Sequence, residues 1–394
     1  MAGGNILDYT ILAINPGSTS TKIGLYRNDT CIVEENTPFR KTVKPEKVHV
    51  LDEFDVRMET ISAFLERAGK TVQDVDIIVS RAGAPCPVQY GAYSIDRRMA
   101  EAICYANRPT YHASLLSVMM AYCLSVEAGK PAIFYDAIDA DQAPAIAHAS
   151  GIPGRPRGVG GHNLNTRMVG REIAEKLGKT YDQCKFVIAH LGGGMSISAH
   201  DKGIIVDSVT SSEGPMSPQR CGRMDFVQLV RMCFSGEYTL SDMQRLTDSG
   251  GLLSYLGAKD MIEVENRIVA GDEKAEFMYN VMAYQVCKAI GENFAVLGGE
   301  ADAIILTGGI ANSEMFTGII RERVGKMAPV MLAPGEREML ALARGGLRVL
   351  RGEETAKTLD FIPDGLRTME EARAVFYIRR PDLKNSPVIA RLGL

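Results

Sequence analysis

The sequence predicts an α/β protein made of two duplicated domains with a ligand cleft between them, on three observations. An antiparallel meander, "YTILAIN", "KIGLYRN" and "CIVEENTPF", opens the chain, and a second, "KFVIAHLGGGMSISAHDKGIIVDSV", begins about half a chain later. After each meander, helical and buried-strand patterns alternate. Between the halves lies "SGIPGRPRGVGG", residues 150 to 161, whose glycines and prolines continue neither helix nor strand and mark an interdomain connection. The halves share an order of elements although not their letters, so a duplicated domain is the simplest architecture.

Taken in order, the first meander is three short strands rich in Ile, Val and Tyr, separated by turn residues. "VRMETISAFLERAG" has helical spacing and stops at Gly69. "VDIIVSRAG" is a buried strand running into a loop, "HASLLSVMMAYCLSVEAG" is helical, and "PAIFYDAID" is a strand whose end carries acidic residues. The second half reads strand, glycine turn, strand, turn, strand, then long helices such as "EKAEFMYNVMAYQVCKAIGENFAVLGG". In "ADAIILTGGIANSEMFTGIIRERV" a buried strand enters Gly308 and Gly309, and a helix is expected from Ala311 or Asn312.

At 394 residues the chain suits about two domains, and 46% hydrophobic with 23% charged residues is the composition of a globular protein. No window is long and apolar enough for a membrane helix, and a cytoplasmic location is expected. Eight cysteines without a C-x-x-C pair read as reduced thiols, with no zinc site. A net charge of -4 argues against a nucleic-acid surface, so an anionic ligand must be met by local cations.

"AINPGSTSTKIGLY", residues 13 to 26, spends more polar residues than a hairpin needs. Asn-Pro-Gly suffices to turn the chain; Ser18, Thr19, Ser20, Thr21 and Lys22 add hydrogen-bond donors, and Gly17 leaves backbone open to close approach. The stretch suits an anion. Gly192, Gly193 and Gly194 lie between two strands, whereas a dinucleotide fingerprint would lead from strand to helix. The two "GKT" triplets lack the earlier glycine of a Walker A motif, having Phe64 and Ile173 there, and read as helix ends with exposed lysine. Gly308 and Gly309 close a buried strand at its carboxyl end, where α/β proteins bind ligands.

Together "INPGSTSTKIGLY", "HASLLS", "AHLGGGMSIS", "SPQRCG", "ILTGGIANSE" and "PGEREMLALARGGLRVLRGEE" resemble the acetokinase family, most closely its butyrate kinases, within the superfamily of acetate and sugar kinases, heat-shock chaperones and actin. The likeness runs from about residue 10 to 354. It implies two actin-like (ribonuclease H-like) domains, residues 1–152 with 337–394 and residues 153–336, with a nucleotide in the cleft. By this likeness Asn15, Ser18, Ser20 and Lys22, with His190 and Gly192 to Gly194, hold the phosphates of ATP or ADP. Gly308, Gly309, Asn312 and Asp260 hold the adenosine.

Arg81, after "VDIIVS", and Arg220, in "SPQRCG", stand in small loops that leave a guanidinium accessible, and its planar fork matches carboxylate and phosphoryl oxygens. The resemblance implies that both flank the carboxylate and the phosphoryl group in transit. It maps active-site histidines onto His112, toward the substrate, His162, as a donor to the phosphoryl group, and His190, which also reads as structural. It gives Asp136 a catalytic part and gives Mg2+ to Asn15 and Glu338, with Glu336 one slip away; either acid would equally favour a helix N-terminus. The family pattern is broken at Leu115 and Ser117 in "HASLLS", at Gly161 where Phe is common, at Arg223, and at Ile262 where Arg is frequent.

A fatty-acid carboxylate is ionised at pH 7, so its attack on the γ-phosphorus needs no base, only cations that bring two anions together. The implied reaction is reversible and joins ATP and a short-chain fatty acid to ADP and an acyl phosphate. An acetate or propionate kinase, or an actin- or chaperone-like ATP-binding protein without acyl transfer, is the alternative. A homodimer or higher homo-oligomer is implied by the resemblance alone.

Overall fold

The computed structural model describes residues 8–17, 20–38, 51, 53–83, 86, 88–105, 113–359 and 368–394. The chain forms two compact units, Met1–Ala140 with Glu338–Leu394, and Asp141–Arg337. The glycine- and proline-rich stretch 150–161 lies inside the second of these.

The first unit holds β1 (Thr10–Pro16), β2 (Ser20–Arg27), β3 (Thr30–Pro38), β4 (Ile77–Ser80), β5 (Ala92–Ser94) and β6 (Ala132–Tyr135) in the order β3-β2-β1-β4-β6-β5. The meander is antiparallel, β1, β4 and β6 are parallel, and β5 returns antiparallel on the edge. Its helices are α1 (Phe54–Arg67), α2 (Arg97–Tyr105) and α3 (Ala113–Ala128), followed after the second unit by α12 (Glu338–Leu350), α13 (Met369–Arg379) and α14 (Pro387–Leu392). Met339, Ala341, Leu342, Ala343 and Leu347 bury one face of α12, which packs on β1 and β4. Each large apolar side chain so buried stabilises by about 1.5–3 kcal/mol.

The second unit repeats the plan. Strands β7 (Lys185–Leu191), β8 (Met195–Asp201), β9 (Ile204–Thr210), β10 (Ala303–Gly308) and β11 (Val330–Pro334) lie in the order β11-β10-β7-β8-β9. Read from the meander edge, both sheets run third, second, first, fourth, with a parallel strand beyond. Pairing directions match, and each meander shifts register once, between Leu25 and Tyr26 in one and between Ala199 and His200 in the other. The helices are α4 (Ala145–His148), α5 (Asn163–Lys176), α6 (Phe226–Cys233), α7 (Leu240–Asp248), α8 (Gly251–Leu256), α9 (Met261–Val269), α10 (Glu273–Val296) and α11 (Glu314–Val324). In α10 the buried residues Ala275, Met278, Tyr279, Met282, Ala283, Val286, Ala289 and Ile290 recur at helical spacing and pack on β7 and β8.

The helix expected from Ala311 or Asn312 begins later. Gly309–Asn312 is a single 3-10 turn, and α11 starts at Glu314 because the Ser313 hydroxyl accepts from the Phe316 N–H at 2.9 Å. All eight cysteines are free thiols. Among the described residues no helix is long and apolar enough to cross a membrane.

Candidate active site

In the first unit the carboxyl ends of β1, β4 and β6 carry Asn15, Arg81 and Asp136, and α12 begins at Glu338. Three of these meet. Glu338 Oε2 accepts from Asn15 Nδ2 at 2.8 Å and from Arg81 Nη1 at 3.2 Å, and Asn15 Oδ1 accepts from the same Nη1 at 3.3 Å. Arg81 Nε is buried and has no hydrogen-bond acceptor among the described residues. The backbone holds the cluster, since Arg81 N donates to Ile14 O at 2.9 Å. Glu336, the neighbouring acid, makes none of these contacts. Lys22 stands opposite Asn15 in the β1–β2 register, so both side chains leave the same face of the sheet.

Asp136 is buried, and its Oδ1 accepts from Gly91 N at 2.8 Å. Its φ of 42° puts a non-glycine residue in the left-handed region. Ser18 and His112 lie outside the described residues.

The tip of the first hairpin is strapped from below by residues that sequence reasoning passed over. Gly17 N donates to Ser20 O at 2.8 Å. Arg57 of α1, fully buried, donates to Gly17 O (3.0 Å), Ser20 O (3.3 Å) and Thr21 Oγ1 (2.9 Å), while Glu53 Oε2 takes its Nη2 at 2.8 Å. With those carbonyls occupied, an anion at the tip would meet fewer acceptor oxygens. The sequence did carry a signal: Arg57 sits within the apolar stripe Phe54, Met58, Ile61, Leu65, and Glu53 precedes it by one helical turn.

In the second unit the ends of β7 and β10 and the start of α5 converge. His190, near the end of β7, pairs in register with Ser196 of β8 and Thr307 of β10. Its ring stacks on that of His162 at 3.8 Å between centroids and 8° between planes. His162 Nδ1 lies 2.9 Å from Ser196 Oγ, and His162 itself occupies the N-cap of α5 with φ 42°. Gly161 explains the departure from Phe just before it. At φ +118° a side chain is strained, and a Cβ would lie 2.9 Å from Thr210 Cγ2 and 3.0 Å from Ser196 Cβ.

Two glycine turns adjoin this pair. Gly308, at φ +86°, lies so close to β7 that a Cβ would fall 2.4 Å from Leu191 O, one residue before Gly192. The turn of Gly192 to Gly194 is held by the loop of Arg220: Ser217 Oγ donates to Gly193 O at 2.5 Å and accepts from Arg220 N at 3.1 Å. The Arg220 guanidinium turns toward Asp248, with Nη1 donating to its carbonyl at 3.1 Å and Nε 3.5 Å from its carboxylate.

Asp260 caps α9, accepting from Ile262 N at 2.8 Å, and with Ile262, Glu263, Asn266, Arg267 and Ala270 it lines a groove of about 530 Å³. Glu265 ties α9 to the start of α11, accepting from Tyr279 Oη and Ser313 Oγ, each at 2.5 Å. Burial, then the bond to Glu265, pushes the Tyr279 phenol up, which keeps it a donor. Asn312 Nδ2 donates to Gly309 O at 2.9 Å.

The donors near β1 suit Mg2+ as it is usually held, by one or two protein oxygens with water and phosphate completing the shell. Asn15 Oδ1 and the Glu338 carboxylate lie together, and among the described residues no three His, Cys, Asp or Glu side chains gather to hold a metal. These residues fit a cation that arrives with a phosphate chain.

The backbone resembles that of several solved kinases. Acetate kinase from Porphyromonas gingivalis superposes with a TM-score of 0.69 at 19% identity, covering 84% of this chain and 98% of that one. Propionate kinase from Francisella tularensis subsp. tularensis SCHU S4 gives 0.68 at 18%, covering 86% and 98%. Acetate kinase from Entamoeba histolytica gives 0.69 at 14%, covering 86% and 99%. These likenesses establish the two-domain actin-like α/β fold. The sequence profile of the Acetokinase family matches residues 154–363, more than half of the chain. With the duplicated sheets and the cluster of Arg81, Asn15 and Glu338 at the strand ends of the first, that match places the protein in the acetokinase family of short-chain carboxylate kinases.

Proposed function

We propose that this protein is a butyrate-type short-chain fatty-acid kinase that transfers the γ-phosphoryl group of ATP directly and reversibly to a carboxylate. The observation that carries the reading is the cluster of Arg81, Asn15 and Glu338, where a guanidinium whose buried Nε has no acceptor among the described residues stands beside oxygens suited to Mg2+. The preference for butyrate rests on the motif likeness of "HASLLS", "SPQRCG" and the hairpin.

One carboxylate oxygen bonds to phosphorus as the bond to the departing ADP oxygen breaks, and no proton need move. The barrier is repulsion between anions, so the chain's task is to supply donors and positive charge. Arg81 and Arg220 take that task, one planar fork for each anionic partner, which requires Arg220 to leave Asp248. His162, fixed by Ser196 and by stacking on His190, donates to the phosphoryl group in transit. Asp136 has a catalytic part at the end of β6, and by motif likeness His112 is a residue that binds the fatty acid. Asn15, Ser18, Ser20, Lys22, His190 and Gly192 to Gly194 hold phosphates; Gly308, Gly309, Asn312 and Asp260 hold adenosine. Bound at Asn15 and Glu338, Mg2+ would neutralise phosphate charge.

We place the enzyme in the cytoplasm, in keeping with its eight free thiols. We also propose a homodimer. Support comes from α6, none of whose residues is buried although Phe226, Val227, Leu229 and Val230 are apolar.

A hydroxamate assay for acyl phosphate, with ATP, Mg2+ and acetate through hexanoate, tests the reading. The expected optimum is butyrate. An optimum at acetate or propionate would move the assignment within the family, and ATP hydrolysis without acyl phosphate would refute it.

A further inference from the structure

We propose that Asn165 is a positioning residue that fixes His190 as the tautomer with its proton on Nε2, directed to the glycine turn that receives phosphate. Asn165 lies in α5, fully buried, and every proton around it can be assigned from groups whose roles are not in doubt. The backbone N–H of Arg337 is a donor only, and it points at Asn165 Oδ1 at 2.6 Å. That contact sets the amide: the oxygen faces Arg337 and the nitrogen faces the other way. A flipped amide would set two donors against each other.

Asn165 Nδ2 then has two acceptors, His190 Nδ1 at 3.0 Å and Thr307 Oγ1 at 3.3 Å. Thr307 can accept because its own proton goes to Gly335 O at 3.1 Å. His190 Nδ1, facing an N–H, must be the bare nitrogen, and the ring proton is on Nε2. Nε2 is the atom beside the turn, 3.4 Å from where a Cβ of Gly192 would stand. The same bond fixes the plane of the His190 ring, and with it the plane on which His162 stacks. Asn165 thus gives His190 one direction in which to donate. Only the phosphate end of this inference rests on the kinase reading.

The test uses full-length protein with 15N-labelled histidine, with the His190 signals assigned by His190→Gln. Long-range proton–nitrogen spectra are expected to show Nδ1 as the pyridine-type and Nε2 as the pyrrole-type nitrogen; the reverse overturns the proposal. Addition of the β,γ-imido analogue of ATP with Mg2+ should shift Nε2 of His190. Binding of the analogue without that shift overturns the proposal and leaves the kinase reading standing, whereas no binding at all overturns both. Asn165→Asp presents an acceptor to Nδ1, so the proton should move there, with affinity for the analogue falling about 10- to 100-fold, by analogy with the loss of the partner that orients a metal-bound histidine. A proton moved with affinity unchanged counts against the proposal. The wild-type spectra decide it even where Asn165→Asp does not fold.

Discussion

Arg57→Ala should separate what the buried ion pair does for stability from what it does for nucleotide binding. The substitution leaves Glu53 buried, with its 2.8 and 3.1 Å donors gone, and takes the guanidinium from the carbonyls of Gly17 and Ser20, the latter keeping its bond from Gly17 N. Removing one member of such a pair costs about 3–5 kcal/mol, chiefly because the buried carboxylate loses the guanidinium that faces it. For a folding unit of this size that is a fall in Tm of about 6–20 °C. The double change Glu53→Leu with Arg57→Met removes both charges together and should recover most of the loss, since apolar replacement of a whole buried pair is close to neutral. A double-mutant cycle should therefore show coupling of about 2–3 kcal/mol. The double variant still lacks the guanidinium that donates to the hairpin carbonyls, so it should fold well and yet bind ATP about 10-fold more weakly, read by calorimetry against wild type. Equal destabilisation in the single and double variants would refute the electrostatic argument. Unchanged ATP affinity in the stable double variant would refute the strap.

Arg81→Ala and Arg220→Ala should each lower kcat about 10³- to 10⁵-fold, the range for a guanidinium that neutralises a transferring phosphoryl group, with circular dichroism unchanged; rates near wild type would exclude either as catalytic. His200 is buried between Tyr181 Oη at 2.6 Å and Ser198 Oγ at 2.7 Å, and burial, then the charges of Arg167 and Arg171, lowers its pKa to about 3. Unfolding lets it take a proton below its ordinary 6.5, so stability is complete above that pH and falls as pH drops, by about 1.4 kcal/mol per unit toward the folded value. His200→Gln should lose this slope in urea titrations between pH 6.5 and 5, and identical slopes would contradict the assignment. Phe234 and Leu240 are 86% and 76% exposed near α6, so Phe234→Glu with Leu240→Glu should convert a dimer to monomer by light scattering. A dimer that survives both changes would place the contact elsewhere.

What the sequence disclosed was governed by local chemistry. Meanders, glycine turns and the long α10 follow from alternation, turn residues and helical spacing, each confined to a few neighbouring positions. The start of α11 is ambiguous in the sequence because Asn312 and Ser313 are both good caps, and only the Ser313 bond to Phe316 N decides between them. Strand β5 gives no sequence signal because three residues, Ala92–Ser94, are strand only through their pairing with β6. Arg57 and Asn165 are hard to read from the sequence for a related reason. A polar residue inside a helix reads as solvent-facing until the fold shows what lies against it, here the carbonyls of a distant hairpin and the ring of His190.

The backbone adds an argument that the letters did not contain. Among the described residues four non-glycine residues have positive φ: Asn28, Lys202, Asp136 and His162. Asn28 and Lys202 sit in the hairpin turns between β2 and β3 and between β8 and β9, where tight turns call for that conformation. Asp136 follows a parallel strand and His162 precedes a helix, and neither place requires it. Glycine would avoid a strain of about 1–3 kcal/mol at each. An aspartate and a histidine stand there instead, with Asp136 Oδ1 fixed by Gly91 N and His162 Nδ1 beside Ser196 Oγ. The strain is worth bearing only where the side chain itself is needed in that direction. Motif likeness points to the same two positions without any reference to φ, so the backbone is an independent reason to look for the chemistry there.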